Sequence, residues 1–140
     1  MQRILREVLR AETQAIAIYS AEVFWIRNPG RRDALQKIRA EEIEHQSEFE
    51  TYAQVPRLIR ACDRFSGLIL GSLFALMPWR VLCFVQGWAE NEAAKIYARA
   101  EKLLVEAGYE LPAGLLGKLR AAANQEKEHS LFFKGPARFL

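Results

Sequence analysis

The chain holds two histidines, two cysteines and five prolines in 140 residues, and each scarcity narrows what it can be. Cys62 and Cys83 form no CxxC pair and no disulfide framework, so a reducing, cytoplasmic compartment is expected. Neither charge dominates: 20 Lys+Arg stand against 17 Asp+Glu, a net +3. The basic residues are interleaved with Glu, so no nucleic-acid partner is expected despite a pI near 9.0. Long apolar runs are missing too. Ser66 to Trp79 carries no charge, but a spanning helix needs about 20 apolar residues. Extending the run to Val85 would put Pro78 and Arg80 in mid-bilayer, so a transmembrane span is rejected. Aspartate is nearly absent, since Asp33 and Asp63 are the only two among the 17 acids and the other 15 are Glu. Glu suits helix interiors, whereas Asp suits caps and turns. No secretory leader pattern opens the sequence; its first segment already reads as an amphipathic helix, and the fold is expected to start there.

What is present is a hydrophobic fraction of 51%, enough for one all-α domain over residues 1–140. At about 100° per residue, Ile4, Leu5, Val8, Ala15, Ile16, Tyr19, Val23 and Ile26 share one arc of a first helix, roughly residues 2–27. Asn28-Pro29-Gly30 ends it. A second helix is expected from about Arg32 to Ala53, with Leu35, Ile38, Phe49 and Tyr52 inward, stopping before Pro56. A short basic helix, Pro56 to Arg64, and an apolar crossover, Phe65 to Leu76, follow. The crossover reads either as a buried helix or as a segment dipping into a membrane interface between Arg57, Arg60, Arg64 and Arg80. A third long helix is expected from Arg80 to Glu106, and a fourth from Ala113 to Phe132. Four long helices, two short loops and one long connection describe a ferritin-like four-helix bundle.

Charged residues on the inner faces point to chemistry. Glu12 falls inside the first helix's apolar arc, where a charge must be paired, protonated or bound to metal. Glu42 and His45 flank the inner line of the second helix. In the third, Glu90 lies with Cys83, Ala94, Tyr97 and Leu104, whereas Glu92 lies with Lys95, Arg99 and Lys102. In the fourth, Glu126 and His129 join Leu115, Leu119, Ala122 and Phe133, while Glu128 faces out. The pattern is Glu…ExxH…Glu…ExxH. Residues at i and i+3 share a helix face, so each ExxH offers an oxygen and a nitrogen to one side. The four single or paired Glu and two His form a mixed O/N set that suits two iron or manganese ions better than tetrahedral zinc. Heights agree as well: Glu12 and Glu90 each lie 18 residues before Gly30 and Gly108, and the ExxH pairs lie 12 to 15 residues beyond Gly30 and Gly114. Glu12 precedes Tyr19 by seven residues, as Glu90 precedes Tyr97, so the two hairpins look like copies. That both histidines of the chain have Glu three residues before them has a chance of about one in eighty.

These residues resemble the demethoxyubiquinone hydroxylases of ubiquinone biosynthesis, within the ferritin-like di-iron carboxylate superfamily. The resemblance covers about residues 8–133. It rests on E-x6-Y from Glu12 to Tyr19 and from Glu90 to Tyr97, on EIEHQSEF with Glu42, His45 and Phe49, on EKEH with Glu126 and His129, and on the crossover RFSGLILGSLFALMPWRVL. It implies a membrane-associated monooxygenase that inserts one oxygen of O2 into the ring of a polyprenyl quinone, with NADH as electron donor. It places Glu42 with His45 on one iron and Glu126 with His129 on the other, with Glu12 and Glu90 completing and bridging the pair. Tyr19 and Tyr97 are expected as hydrogen-bond donors or electron relays at the site, or as packing residues. Two departures accompany the match: Ile96 stands where the family often has histidine, and no further C-terminal helix follows the fourth. A peripheral site on the inner face of the cell membrane is expected, and a homo-oligomer is compatible with the sequence.

Three functions follow from this reading. The first is a di-iron oxygenase acting on a hydrophobic quinone-like ring. The second is a ferritin- or rubrerythrin-like protein that oxidises iron or reduces peroxide without an organic substrate. The third is a non-catalytic bundle with no dimetal site. The apolar crossover favours the first, because an iron-storage protein has no need of it.

Overall fold

A computed structural model describes residues 1–140. The fold is an all-α bundle of five helices, α1 (Gln2–Trp25), α2 (Pro29–Glu50), α3 (Arg57–Ala75), α4 (Trp79–Glu106) and α5 (Leu115–Lys134), closed by a 3-10 turn over Pro136–Phe139. No helix is long and apolar enough to cross a membrane. The chain pairs α1 with α2 and α4 with α5 as two hairpins, lays α3 along α1, and lets α1 and α4 meet over a shorter stretch.

Local chemistry sets the helix ends. Asn28 and Pro29 do not merely stop α1, as expected, but also start α2. The Asn28 side chain accepts a hydrogen bond from the Arg31 N–H at 3.0 Å, and Pro29 occupies the first turn, where a missing N–H costs nothing. The expected start at Arg32 is therefore three residues late. At the other end the last residues are docked, since the Trp79 indole N–H donates to the Ala137 carbonyl at 2.7 Å.

The connection between the hairpins departs furthest from expectation. The basic segment and the apolar crossover are one continuous helix, α3, with no breaker between Arg57 and Ala75. Gly67 and Gly71 do not interrupt it; they are its contact face. A Cβ on Gly67 would stand 2.6 Å from the Gln14 carbonyl oxygen and 2.7 Å from the Ala17 Cβ, and one on Gly71 would overlap the Ile18 carbonyl. Two small residues four apart thus let the α3 backbone lie directly on α1. Arg10 and Asp63 fasten the same pair with hydrogen bonds of 2.9 and 3.0 Å. Burial on α3 is limited to Asp63, Gly67 and Gly71. The buried-helix reading of the crossover is therefore wrong for its outer face, where Phe65, Leu73 and Leu76 are 67%, 53% and 80% exposed.

Inside, the apolar core is divided. One cluster, with Leu5, Leu9, Phe49, Leu104, Leu115 and Leu119, fills one end of the bundle. A second, with Leu35, Ile38, Leu82, Cys83 and Phe133, fills the other. Between them lies a layer of buried polar side chains, Glu12, Glu42, His45, Glu90, Glu126 and His129. Of the expected inner arc of α1, Leu5, Val8 and Tyr19 are buried and Ile4, Ala15, Ile16, Val23 and Ile26 are half-buried, because α3 and α4 cover opposite flanks of that helix.

The glycine contact sets a clear expectation. Gly71→Leu, which forces a side chain into the α1 backbone, should lower unfolding stability by about 2 kcal/mol or more. Gly117→Ala, in open space on α5, should be neutral or raise it by up to about 1 kcal/mol. Thermal unfolding of the two variants checks both; equal effects would mean that α3 does not lie this close to α1.

Candidate metal centre

The six residues singled out from the sequence converge in one layer. Each hairpin contributes one long-helix Glu and one ExxH pair, so Glu12 and Glu90 approach from α1 and α4, Glu42 with His45 from α2, and Glu126 with His129 from α5. All six are buried, Glu126 completely and Glu42 at 2% exposure. His45 Nδ1 lies 3.2 Å from Glu126 Oε1. His129 Nδ1 lies 3.4 Å from Glu42 Oε1, 3.6 Å from Glu126 Oε2 and 3.7 Å from Glu90 Oε2. Glu92, by contrast, turns outward and pairs with Lys95 at 2.6 Å, and Glu128 is exposed.

The unengaged atoms decide what this layer can hold. Buried polar atoms are nearly always hydrogen-bonded. Here Glu12 Oε2, Glu42 Oε1, both oxygens of Glu126, His45 Nδ1 and His129 Nδ1 have no hydrogen-bond partner, although each faces the others. They fall into two sets whose ligand atoms lie within 4.8 Å of one another: Glu12, Glu42, His45 and Glu126, and Glu42, Glu90, Glu126 and His129. Each set can hold one metal ion. Four carboxylates and two neutral imidazoles carry four negative charges, the amount that two divalent cations neutralise. Glu42 and Glu126 belong to both sets, and Glu12 and Glu90 to one each. Glu12 and Glu90, expected to complete and bridge the pair, thus each belong to one set, while the ExxH glutamates are common to both.

Outer partners orient these groups. The Tyr97 hydroxyl donates to Glu12 and the Tyr19 hydroxyl to Glu90, so each tyrosine serves the carboxylate of the other hairpin. His45 Nε2 meets Gln125 Oε1 at 3.0 Å, and His129 Nε2 meets Glu41 Oε2 at 2.5 Å. Both partners are acceptors, so Nε2 carries the proton in each ring and the Nδ1 lone pair faces the layer, the tautomer a metal requires. Glu41 and Gln125 did not stand out in the sequence. The available signal was position, since each immediately precedes the Glu of an ExxH pair.

Electrostatics gives the same account. Burial, then repulsion from Glu42 and Glu126, holds the Glu12 carboxyl well above the usual range. Burial does the same to Glu90, against the nearby His129. Glu126 is the exception: burial pushes it up, but the proximity of His129 and His45 outweighs that and brings it to about 2. Burial would lower both histidines, yet the carboxylates around them raise both. The shifts share one cause, the crowding of buried carboxylate charge that a bound cation would relieve.

Beside the layer, between α1 and α4, opens a cavity of about 70 Å³ whose wall is formed by Val8, Ala15, Ile18, Ala93 and Ile96 and whose floor includes Glu12, Glu42 and Glu90. Gln86 also lines it and donates to Glu22 at 2.6 Å. Glu22 is fully buried, its Oε2 has no partner, and burial raises its carboxyl to about 8. Periodicity places Glu22 three residues beyond Tyr19 on the inner side, but no second acidic residue answers it at the matching position of the other hairpin.

Comparison with protein-family models, curated proteins and solved structures finds no match to this chain. The case for a metal centre rests on its residues.

Two measurements test the centre and its surroundings. Glu90→Ala should reduce metal loading below two ions per chain while Glu92→Ala leaves it unchanged, as read by metal analysis; equal loading would remove Glu90 from the site. For Glu22, the folded-state value lies above the unfolded one, so its contribution is favourable at low pH and is lost as pH rises toward 8. Glu22→Gln should therefore stabilise the fold by roughly 2–4 kcal/mol at pH 8 and by little at pH 4.5. A pH-independent difference between the two proteins would show that folding does not shift the Glu22 carboxyl.

Proposed function

We propose that this chain is a ferritin-like di-iron monooxygenase resembling the demethoxyubiquinone hydroxylases, which hydroxylates the ring of a hydrophobic, polyprenyl quinone-type substrate with O2. The observation that carries the reading is the apolar cavity that opens directly on three of the four central carboxylates. An iron-storage site needs ligands and a path for ions, whereas a wall of Val8, Ile18, Ala93 and Ile96 excludes water and favours a greasy ring. The ferritin-like arrangement is supported by the two hairpins and by the long connection that carries the chain from α2 to α4 through α3.

In this reading Glu12, Glu42, His45 and Glu126 hold one iron and Glu42, Glu90, Glu126 and His129 the other. Bound as ferrous ions, the pair supplies two electrons to O2 at one place. The protein's own groups do the rest. Gln125 and Glu41 fix the imidazole tautomers. Tyr19 and Tyr97 hold their protons against Glu90 and Glu12, which keeps those carboxylates aimed at the layer. Ile18, Ala93 and Ile96 position a ring against the carboxylate floor. Reduction by NADH belongs to this reading as well. So does peripheral attachment to a membrane, which the exposed Leu58, Phe65 and Leu73 of α3 support together with Arg57 at its start and Arg80 beyond its end.

Ala93→Leu tests the assignment, because it narrows the cavity from its apolar wall and replaces no ligand. The protein as purified should carry two irons per chain and yield, with a short-chain quinone, O2 and a reductant, a product heavier by one oxygen. The variant should keep its iron and lose at least tenfold in product formation. Iron loading with fast peroxide turnover and no quinone product in either protein would replace this reading with the ferritin- or rubrerythrin-like one. Absence of metal would leave a non-catalytic bundle.

A further inference from the structure

On the side of α1 away from the apolar cavity, α1, α2 and α3 enclose a second concavity of about 280 Å³. Thr13 and Ser20 reach it from α1, Arg39 and Gln46 from α2, and Arg64 and Leu68 from α3. No acidic residue lines it. Most arginines nearby are already spent: Arg10 is held by Asp63 at 2.9 Å and Arg60 by Glu50 at 2.7 Å. Arg39 and Arg64 have no carboxylate partner.

The hydrogen bonds already made determine what remains on offer. Ser20 Oγ donates to the Ile16 carbonyl at 2.6 Å and accepts from Arg39 Nε at 2.8 Å. Thr13 Oγ1 donates to the Leu9 carbonyl at 2.8 Å and accepts from Gln46 Nε2 at 2.7 Å. Both hydroxyl protons are therefore used inside α1, and the two side chains act as anchors that hold Arg39 and Gln46 in place. The Nε of Arg39 is fixed, which leaves its two terminal nitrogens as free donors. The whole guanidinium of Arg64 and one proton of the Gln46 amide are free as well. The Gln46 carbonyl is the one free acceptor beside these donors, and a concavity with two cations, several spare N–H groups and no competing carboxylate suits an anion with several oxygens.

We propose that this pocket binds the phosphate of a phosphate ester, with Arg39 and Arg64 clasping its oxygens from α2 and α3. The ester's substituent rests on Leu68 at the pocket's edge, where the exposed apolar face of α3 begins. A phospholipid headgroup and a soluble phosphate ester share this chemistry. The site is independent of the metal centre, and its test needs no catalytic activity.

The test uses the full chain, a pocket variant, Arg39→Gln/Arg64→Gln, and a control with the same change of charge at exposed arginines outside the pocket and away from α3, Arg32→Gln/Arg99→Gln. Thermal unfolding first verifies that all three fold; if the double pocket variant does not, Arg64→Gln alone takes its place, since Arg64 anchors no other side chain. Binding is then followed with inorganic phosphate by titration calorimetry, and with phosphatidylglycerol or phosphatidylcholine vesicles by co-sedimentation. The pocket variant should bind at least tenfold more weakly than the parent, and the control within about twofold of it. Pocket-dependent binding of phosphatidylglycerol vesicles identifies a lipid headgroup as the source. Pocket-dependent binding of phosphate alone identifies a soluble ester. Equal losses in the pocket and control variants, or no binding of either probe to the parent, overturn the proposal.

Discussion

Everything in this bundle is arranged around the burial of four carboxylates and two imidazoles in one layer. Such a layer has no reason to exist in an apolar core, because each unpartnered charge taken from water costs several kcal/mol. Its cost explains the division of the core into two apolar clusters, one on either side, which supply the burial energy that the layer itself does not. It also explains why the atoms lacking hydrogen bonds are so concentrated: six of the eight such atoms belong to the layer. Burial raises the Glu12 and Glu90 carboxyls, which disfavours their charged form. With two divalent ions the same carboxylates are neutralised as anions. The layer is therefore a place where metal affinity and stability are one quantity.

The second organising relation is the likeness of the two hairpins. Tyr19 of α1 reaches Glu90 of α4, and Tyr97 of α4 reaches Glu12 of α1. Gln125 of α5 reaches His45 of α2, and Glu41 of α2 reaches His129 of α5. Every outer partner thus comes from the opposite hairpin. The site is assembled only when the hairpins meet, and the residues that orient its ligands are the same ones that join the two halves. α3 enters this scheme from outside, clamped to α1 through Gly67, Gly71 and the Arg10–Asp63 pair. It adds an exposed apolar surface without intruding on the layer.

How much of this the sequence revealed follows from which signals are local. Helical periodicity separated Glu90 from Glu92, and i, i+3 spacing picked out both ExxH pairs, because these depend only on position along one helix. The four long helices were legible for the same reason. What failed needed information from other helices. The contact role of Gly67 and Gly71 shows only with α1 beside them, and the crossover stayed open between a buried and an interfacial reading because an apolar run says nothing about what covers it. That Glu42 and Glu126, rather than Glu12 and Glu90, are common to both ligand sets depends on contacts between helices, which spacing along one helix does not carry. Glu41 and Gln125 were invisible because their targets lie 88 and 80 residues away in sequence.

The likeness of the hairpins is broken in two places, and both breaks fall on the same half of the site. His129 rests against a carboxylate, Glu41, whereas His45 rests against an amide, Gln125. A carboxylate accepting the Nε2 proton leaves more electron density on Nδ1 than an amide does, so His129 is the stronger donor of the two. The second break is the buried Glu22–Gln86 pair. Gln86 stands one turn before Glu90 on α4 and Glu22 about one turn after Tyr19 on α1, so the pair adjoins the ligand set of Glu90 and His129 and has no counterpart near Glu12 and His45. One metal position is thus flanked by an extra carboxylate on its histidine and by a second buried carboxyl within a turn of its tyrosine. The two ligand sets, alike in plan, are therefore electrically different, and a cation held by one would meet a different field from a cation held by the other.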